Sequence, residues 1–312
     1  MTQVAQPPDS VTAPSLRLTA CVMLAGSLRP SPLAAAAGCS VLDLHLTSTE
    51  TVFDVWMRHV EAIAASTGER PLVHVIYGLN TPAPRVREPG SHTLTIKLEE
   101  DAQQFRGPAG AVRDACGGYP PDSVVLVVEA ARYMDGDLTR MVAEHQAASA
   151  DVTVVCNADS TPAGIFLVRC STLELVPKIG FTDLKEQWLK KSVEEGFNVR
   201  VHRLRGGHSH ELRTREGFLH AASIAGGLSG TEGELSSDSA FVPAETDSVV
   251  HSVPSDVSIG NRAVVVDSVV MPGVVIGENA IVARSILCPG AKVPAGGAVI
   301  ESVVPAGQES AR

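Results

Sequence analysis

The sequence predicts an α/β layered domain with a mainly parallel sheet, followed by a parallel β-helix of hexapeptide repeats. Three observations lead to this prediction. Apolar strand-like runs alternate with helix-like segments from residue 18 to about residue 225. A stretch rich in Gly, Ser and acidic residues then interrupts the pattern at 226–248. Beyond it the helix patterning disappears, and apolar residues recur every five or six positions.

Short strands that alternate with amphipathic helices are typical of a layered α/β domain. The strand-like runs are "LTACVMLAG", "PLVHVIYG", "HTLTIKL", "SVVLVVEA", "DVTVVC", "AGIFLVR" and "NVRVHRL". The helix-like segments are "TVFDVWMRHVEAIAAS", "AGAVRDACGG", "DLTRMVAEHQAAS", "LKEQWLKKSVEEG" and "TREGFLHAASIA". Helical spacing is clearest in the first of these, at Val52, Val55, Trp56, His59 and Ile63. Ligands of such sheets bind at the carboxyl ends of strands, where the loop at Gly26 follows the first strand.

The repeat near the C-terminus predicts the second fold. Its recurring positions are Ile259, Val265, Met271, Ile276, Val282, Cys288, Val293 and Val299. A hexapeptide period builds a β-helix in which each unit is one short strand plus a corner. Three hexads make one turn, so residues 253–304 should form about three triangular coils. The expected organisation is a disordered tail, an α/β domain, a linker and a β-helix at 1–17, 18–225, 226–248 and 249–308.

Composition restricts the class of protein. The net charge of −10 leaves no basic surplus for nucleic acid. No apolar run reaches the roughly 18 residues of a membrane span, and the N-terminus lacks the pattern of a signal peptide. The six cysteines include no CxxC and suit reduced thiols. A cytoplasmic protein that binds neither nucleic acid nor membrane is expected.

Four segments carry a family resemblance by their order and spacing. They are "GPAGAVRDA" (107–115), "AGIFLV…LELVPKIGFTDLKEQWL" (163–189), "TREGFLHAA" (214–222) and "SVVMPGVVIGENAIVARSILCPGAKVP" (268–294). Together they resemble the sugar-1-phosphate nucleotidylyltransferases, such as mannose-1-phosphate guanylyltransferases and glucose-1-phosphate adenylyltransferases. The resemblance covers nearly the whole chain after residue 18. It implies a Rossmann-like nucleotide-diphospho-sugar transferase domain and a left-handed β-helix.

The resemblance also implies chemistry, in which a sugar phosphate attacks the α-phosphorus of an NTP and pyrophosphate leaves. Such a step needs backbone N–H groups for the phosphates, a cation, and a carboxylate-held divalent metal. The positions that match the family's nucleotide site are Leu24, Ala25, Gly26, Arg29, Gly107, Ala109 and Gly110. Those that match its sugar site are Gly164, Asp183 and Lys185. If the protein were active, Arg29 would serve in catalysis, and Glu129 and Glu211 would hold Mg²⁺.

The chain departs from the family pattern at four places. The family loop L-A-G-G-x-G-T-R-L-x-P-L is here "LAGSLRPSPL", two residues shorter and with one glycine. Cys39 stands where the family has a lysine, and a neutral thiol cannot replace an ammonium. Ala131 stands where the family has its metal aspartate. The segment carrying a glutamate–lysine pair for the sugar is reduced to "NADSTP".

Other residue clusters fit either a chemical role or a simpler structural one. Asp135 and Asp137 form a D-x-D, as in metal-dependent glycosyltransferases, yet they also suit a turn and helix cap. His208, His210 and Glu211 in "GGHSHEL" fit either a metal cluster or a flexible polar loop, with both rings on one side. The β-helix acyltransferases use a histidine, and no histidine follows residue 251, which argues against that chemistry.

The first hypothesis is therefore a degenerate, non-catalytic protein with a structural or regulatory role. It would need no cofactor and would form a homo-oligomer, or a hetero-oligomer with an active paralogue. A sugar nucleotide or sugar phosphate remains a candidate ligand. The alternative is an active sugar-1-phosphate nucleotidylyltransferase with a rearranged, Mg²⁺-dependent site, and a glycosyltransferase ranks third. Fold alone does not choose among them, because function belongs to the site.

Overall fold

A computed structural model describes residues 17–26, 31–86, 92–101, 105–226 and 256–310. The predicted tail and linker lie almost wholly outside these residues, as does Arg29. Within the described residues, no helix combines the length and apolar character needed to cross a membrane.

A seven-stranded sheet forms the centre of the α/β domain, in the order β3-β2-β1-β4-β7-β6-β8. Its strands are β1 (Leu18–Leu24), β2 (Leu72–Gly78), β3 (Ile96–Asp101), β4 (Val124–Glu129), β6 (Val152–Cys156), β7 (Pro162–Arg169) and β8 (Val199–Arg203). All seven predicted runs form these strands. Only β7 runs antiparallel to its neighbours β4 and β6, so the sheet is mainly parallel as predicted. Strands β1 to β4 end at one common edge of the sheet.

Helices cover both faces of the sheet. They are α1 (Pro32–Ala37), α2 (Val52–Thr67), α3 (Gly107–Cys116), α4 (Thr139–Ala147), α5 (Lys190–Glu194) and α6 (Arg215–Ala225), with a π-helical turn at Leu184–Leu189 leading into α5. Side chains of β1 alternate between two buried cores: Met23 packs with Trp56 of α2, and Val22 packs with Val112 of α3. A reciprocal capping box between Thr51 and Asp54 fixes the start of α2.

A two-stranded ribbon, not predicted from the sequence, lies beside the sheet. It joins β5 (Arg132–Met134) to β9 (Ser209–Glu211) in antiparallel register, with Arg132 opposite Glu211. Because β5 follows β4 directly, the ribbon extends from the edge where β4 ends.

The C-terminal residues form the predicted parallel β-helix. Its nine strands are β10 (Ser258–Ile259), β11 (Val264–Val266), β12 (Val269–Val270), β13 (Val275–Ile276), β14 (Ile281–Ala283), β15 (Ile286–Leu287), β16 (Lys292–Val293), β17 (Ala298–Ile300) and β18 (Val303–Val304). They make three parallel three-stranded sheets, and hence three coils. Each coil has 17 residues, since Ser258 pairs with Val275 and Val275 with Lys292. A uniform hexapeptide repeat would give 18, but the step from β11 to β12 is one residue shorter than the other two.

One face of the β-helix packs against the α/β domain. Val270 and Leu287 fill the β-helix interior, whereas Met271 and Cys288 join the core shared with α1 and α2. The Ala306 N–H donates to the Ala36 carbonyl at 2.8 Å, which ties the β-helix to α1. Part of the apolar surface that predicted partner binding is therefore buried within the chain.

Candidate functional site

The loop after β1 is held by packing against the turn after β2. Gly26 has φ of +138°, which an L-residue rarely adopts. A Cβ at Gly26 would also lie 2.9 Å from Thr81 Oγ1. The Ala25 N–H donates to the Ile76 carbonyl at 2.7 Å. Leu24, Ala25 and Gly26 thus lie at the carboxyl edge of the sheet.

The N-terminus of α3 starts at Gly107, and Gly107, Ala109 and Gly110 all lie in its first turn. The Ala109 N–H donates to the Thr182 carbonyl at 3.1 Å, and the Thr182 N–H donates to the Arg106 carbonyl at 2.9 Å. A Cβ at Gly107 would lie 2.6 Å from the Thr182 carbonyl oxygen. A helix N-terminus is a general anion site, but here one of its donors is already used within the chain.

Glu129, the last residue of β4, is enclosed by two cations. Its Oε1 lies 2.8 Å from Lys185 Nζ, and its Oε2 lies 3.1 Å from Arg132 Nε. Burial alone would raise the pKa of Glu129, but Lys185 and Arg132 outweigh that effect and hold its pKa below the ordinary value. The carboxylate is therefore ionised and paired.

Gly164 makes room for this arrangement. It has φ of +70°, and a Cβ there would lie 2.5 Å from Arg132 Nε and 2.8 Å from Glu129 Oε2. Gly164 and Lys185, predicted separately as sugar-site positions, thus meet at Glu129.

Asp183 is the third predicted sugar-site position, and its carboxylate accepts hydrogen bonds from the backbone of the residues that follow it. Its Oδ1 accepts the N–H groups of Lys185 at 2.7 Å and Glu186 at 2.9 Å. The carboxylate therefore caps the π-helical turn that carries Lys185. In this geometry Asp183 positions Lys185 through the backbone.

The two positions that match the family's metal carboxylates lie side by side. The Leu212 N–H donates to the Ala131 carbonyl at 3.0 Å, so Ala131 lies next to Glu211 across the ribbon. Ala131 offers no ligand, and Glu129 already holds two cations. Glu211 is exposed and lies 3.6 Å from Arg213 Nε. This set does not fit a Mg²⁺ site.

Cys39 lies where α1 turns toward the β-helix. It packs against the shared core, and Cys288 of the β-helix is near enough to interact electrostatically with it. Burial, reinforced by Asp43, raises the pKa of Cys39 to about 11, although Arg85 opposes the shift. The thiol is neutral at physiological pH. The charged groups that act on it are Asp43 and Arg85, not Glu129 or its partners.

The two aspartates of the D-x-D serve different neighbours. Asp137 accepts the Thr139 N–H at 2.8 Å and the Thr139 hydroxyl at 2.7 Å, which confirms the predicted turn. The predicted helix cap is wrong for Asp137, because the N-cap residue of α4 is Leu138. Asp135 instead accepts the His208 N–H and faces His210 at 3.4 Å. The two carboxylates therefore have separate hydrogen-bond partners.

His208 and His210 lie against each other, with ring centroids 4.8 Å apart. The segment is not a flexible loop, because Ser209–Glu211 forms a paired strand. In the part of the chain that the structure describes, no group of three or more His, Cys, Asp or Glu could hold a metal ion. The sequence analysis singled out neither Arg132 nor His220. The only signal, which concerned Arg132, was a cation three residues after Glu129.

Comparison with known proteins gave distant structural similarity only. No family model and no curated protein matches the chain. A Bacillus anthracis protein described as a glucose-1-phosphate thymidylyltransferase, solved in complex with a sucrose, has a TM-score of 0.49 and 11% identity. The alignment covers 66% of this chain and 95% of that one. HddC from Yersinia pseudotuberculosis has a TM-score of 0.49 and 12% identity, over 67% of this chain and 100% of that one.

Proposed function

We propose that this protein is a non-catalytic, degenerate form of a sugar-1-phosphate nucleotidylyltransferase with a structural or regulatory role. The observation that carries the proposal is the pairing of Glu129 with both Lys185 and Arg132. Glu129, at the end of β4, is the residue that would hold Mg²⁺ together with Glu211 if the protein were active. Here each of its two oxygens is already bound to a cation of the chain.

The energetic argument is direct. A divalent metal would have to displace Lys185 or Arg132 from a largely buried carboxylate, and the displaced cation would lose its partner. The neighbouring Ala131 offers no second carboxylate. Removing one electrostatic element of this kind typically costs about 3–4 kcal/mol in the transition state. Losing both the metal ligand and the family's lysine would slow turnover on the order of 10⁴-fold or more.

A scaffolding role needs a surface for a partner, and we propose the sheet formed by β11, β14 and β17. Its outward side chains are Val264, Val266, Ile281, Ala283, Ala298 and Ile300. The four larger ones are between 38% and 53% exposed. A contiguous apolar face is typical of an interaction surface. A second copy of this chain, or an active paralogue with a similar β-helix, is the proposed partner.

The test of catalytic silence is a pyrophosphate-release assay. The full chain is incubated with Mg²⁺, each of the four NTPs and a set of sugar 1-phosphates, and the expected release equals the enzyme-free blank. Circular dichroism on the same sample shows that the protein is folded. Magnesium-dependent release that Glu129→Gln abolishes would overturn the proposal. It would point to the rearranged site with Arg29, Glu129 and Glu211.

A further inference from the structure

Strand β8 forms an open edge of the seven-stranded sheet, because β6 is the one strand that pairs with it within the described residues. The Leu204 N–H donates to the Cys156 carbonyl of β6 at 2.9 Å. Since alternate residues of a strand bond the same neighbour, the even-numbered residues of β8 face β6. The residues whose backbone N–H and C=O groups face away from β6 are therefore Val199, Val201 and Arg203.

The side chains at this edge expose apolar surface together with positive charge. Val201 is 60% exposed. The three exposed arginines on β8 and just beyond it are Arg200, Arg203 and Arg205. The side-chain hydrogen bonds of Arg200 and Arg203 go to neutral oxygens. In the part of the chain that the structure describes, no carboxylate forms an ion pair with any of the three.

An edge with these properties usually has a cover. Unpaired backbone groups beside an exposed apolar side chain invite another strand, and folded proteins commonly cover such an edge. The opposite edge of the sheet, β3, ends with the acidic residues Glu99, Glu100 and Asp101. A segment rich in carboxylates would therefore be repelled at β3 and attracted to the arginines of β8.

The chain itself contains such a segment between α6 and the β-helix. Residues 227–255 lie outside the described structure, and their sequence has five carboxylates and no lysine or arginine. Within it, "SDSAFV" at 237–242 places Asp238 close to the apolar pair Phe241 and Val242. Aromatic and β-branched residues favour strands, so this stretch combines strand propensity with the charge that β8 attracts.

We propose that residues 237–242 pair with the outward backbone groups of β8 and complete the sheet as an eighth strand. Phe241 and Val242 would cover Val201, and Asp238 would lie among the arginines. The pairing goes beyond the proposed loss of catalysis and does not depend on it.

The length of the segment permits this contact. Position 237 follows Gly226 by 11 residues, and Asp256 follows position 242 by 14 residues. Extended chains of these lengths span up to about 36 Å and about 46 Å. A compact chain of this size has a radius of gyration of about 20 Å, so β8 is within reach from both ends.

The experiment is residue-level hydrogen exchange of the full chain, followed by NMR or by mass spectrometry with electron-transfer fragmentation. The amides of Val199, Val201 and Arg203 are the readout, because an uncovered edge leaves their N–H groups to water. Pairing should slow their exchange by about tenfold or more relative to an unstructured peptide. Exchange of these amides at the unstructured rate would overturn the proposal.

Variants within the segment locate the contact without altering the folded domain. Phe241→Pro removes a strand donor and the aromatic ring, so the three amides should exchange about tenfold faster. Its matched control, Thr231→Pro, lies outside 237–242 and should change nothing. Asp238→Lys places a cation among the arginines and should speed exchange by about threefold. Asp247→Lys makes the same change of charge outside 237–242 and should leave the rates as they are.

Other occupants of the edge give different results. Protection that survives Phe241→Pro would mean that another part of the chain covers β8, and protection that falls on dilution would mean a second copy. Either result would overturn the proposal, as would loss of protection in Ile281→Asp, which alters only the β11–β14–β17 face. The pyrophosphate assay keeps the proposed function separate. Turnover with protected amides would remove catalytic silence alone, whereas silence with unprotected amides would remove only the eighth strand.

Discussion

The Nζ atom of Lys185 lies 2.8 Å from the Oε1 atom of Glu129. This ion pair joins the π-helical turn Leu184–Leu189 to the end of β4, across 56 residues of sequence. With Arg132 on Oε2, it uses both oxygens of Glu129. The carboxyl edge of the sheet therefore holds one carboxylate between two cations, where a metal site would need a free carboxylate.

Replacing Glu129 by Gln should destabilise the protein by about 1–3 kcal/mol, because Arg132 and Lys185 would lose their charged partner. Lys185 is 39% exposed, so solvent screening keeps the effect toward the lower end. Urea unfolding near neutral pH measures the loss. The folded pKa of Glu129 is lowered, so its contribution is present above the ordinary glutamate range and disappears as pH falls through that folded pKa.

The matched control is Glu174→Gln, an exposed glutamate of the 3-10 turn Cys170–Leu175. Its expected change is within about 0.5 kcal/mol. Equal changes in the free energy of unfolding for the two substitutions would mean that the ion pairs of Glu129 add no more stability than an exposed glutamate does.

Gly164→Ala should destabilise by about 2–4 kcal/mol, because it combines a left-handed backbone with a collision against Arg132. Gly68→Ala is the matched control, since Gly68 has φ of +73° and no neighbour within 4 Å of the added Cβ. The control should lose about 1–2 kcal/mol, the backbone cost alone. Thermal unfolding of both variants measures the difference, and identical losses would show that Arg132 moves aside freely.

Periodicity predicted most of the fold from the sequence. The strands and the longer helices carry runs of buried side chains that a period of two or 3.6 reveals. Helix α1 has six residues and the ribbon strands have three each, too few for a period to appear. The repeat also gave no way to separate Val270, inside the β-helix, from Met271, which faces the α/β domain, because both are buried and apolar.

The candidate site was less predictable than the fold. Gly164 and Lys185 each match a family position, and Glu129 is a metal candidate for an active protein, but the contact of these three residues depends on how three separate segments fold together. Arg132 belongs to no motif, yet its side chain bonds Glu129 and lies against Gly164. His220 sits on α6 next to buried Phe218, and helical spacing alone gave it no role. Pairings between distant segments are set by tertiary packing, which a single sequence does not display.

Acid should destabilise the protein through His145 of α4. Its Nδ1 bonds Thr153 Oγ1 at 2.8 Å, and its Nε2 is buried without a partner among the described residues. Burial, aided by Arg169 and opposed by Asp151, lowers the pKa of His145 to about 4. The folded pKa lies below the unfolded value, so the stability is complete above about pH 6.5 and is lost as pH falls toward 4, by up to about 3 kcal/mol.

The measurement is the free energy of unfolding in urea at several pH values through that window. His145→Gln cannot titrate, so its curve should be flatter than that of the unchanged protein by the same amount. Parallel curves for the two proteins would show that another group causes the acid sensitivity.

Ile281→Asp should dissociate the proposed oligomer without unfolding the chain. Ile281 is 47% exposed at the centre of the apolar sheet β11–β14–β17, so a carboxylate there costs little in the monomer. In an interface the same carboxylate would be buried without a partner, which typically costs several kcal/mol. Sedimentation at micromolar concentration should therefore give a dimer or larger species for the unchanged chain and a monomer for the variant. Val275→Asp is the control, because Val275 is 43% exposed on the neighbouring sheet, and it should leave the mass unchanged.

If the unchanged chain sediments as a monomer and captures no paralogue, this face binds neither partner. The scaffolding role would then lose its structural basis, while catalytic silence, which depends on Glu129 and Ala131, would be unaffected.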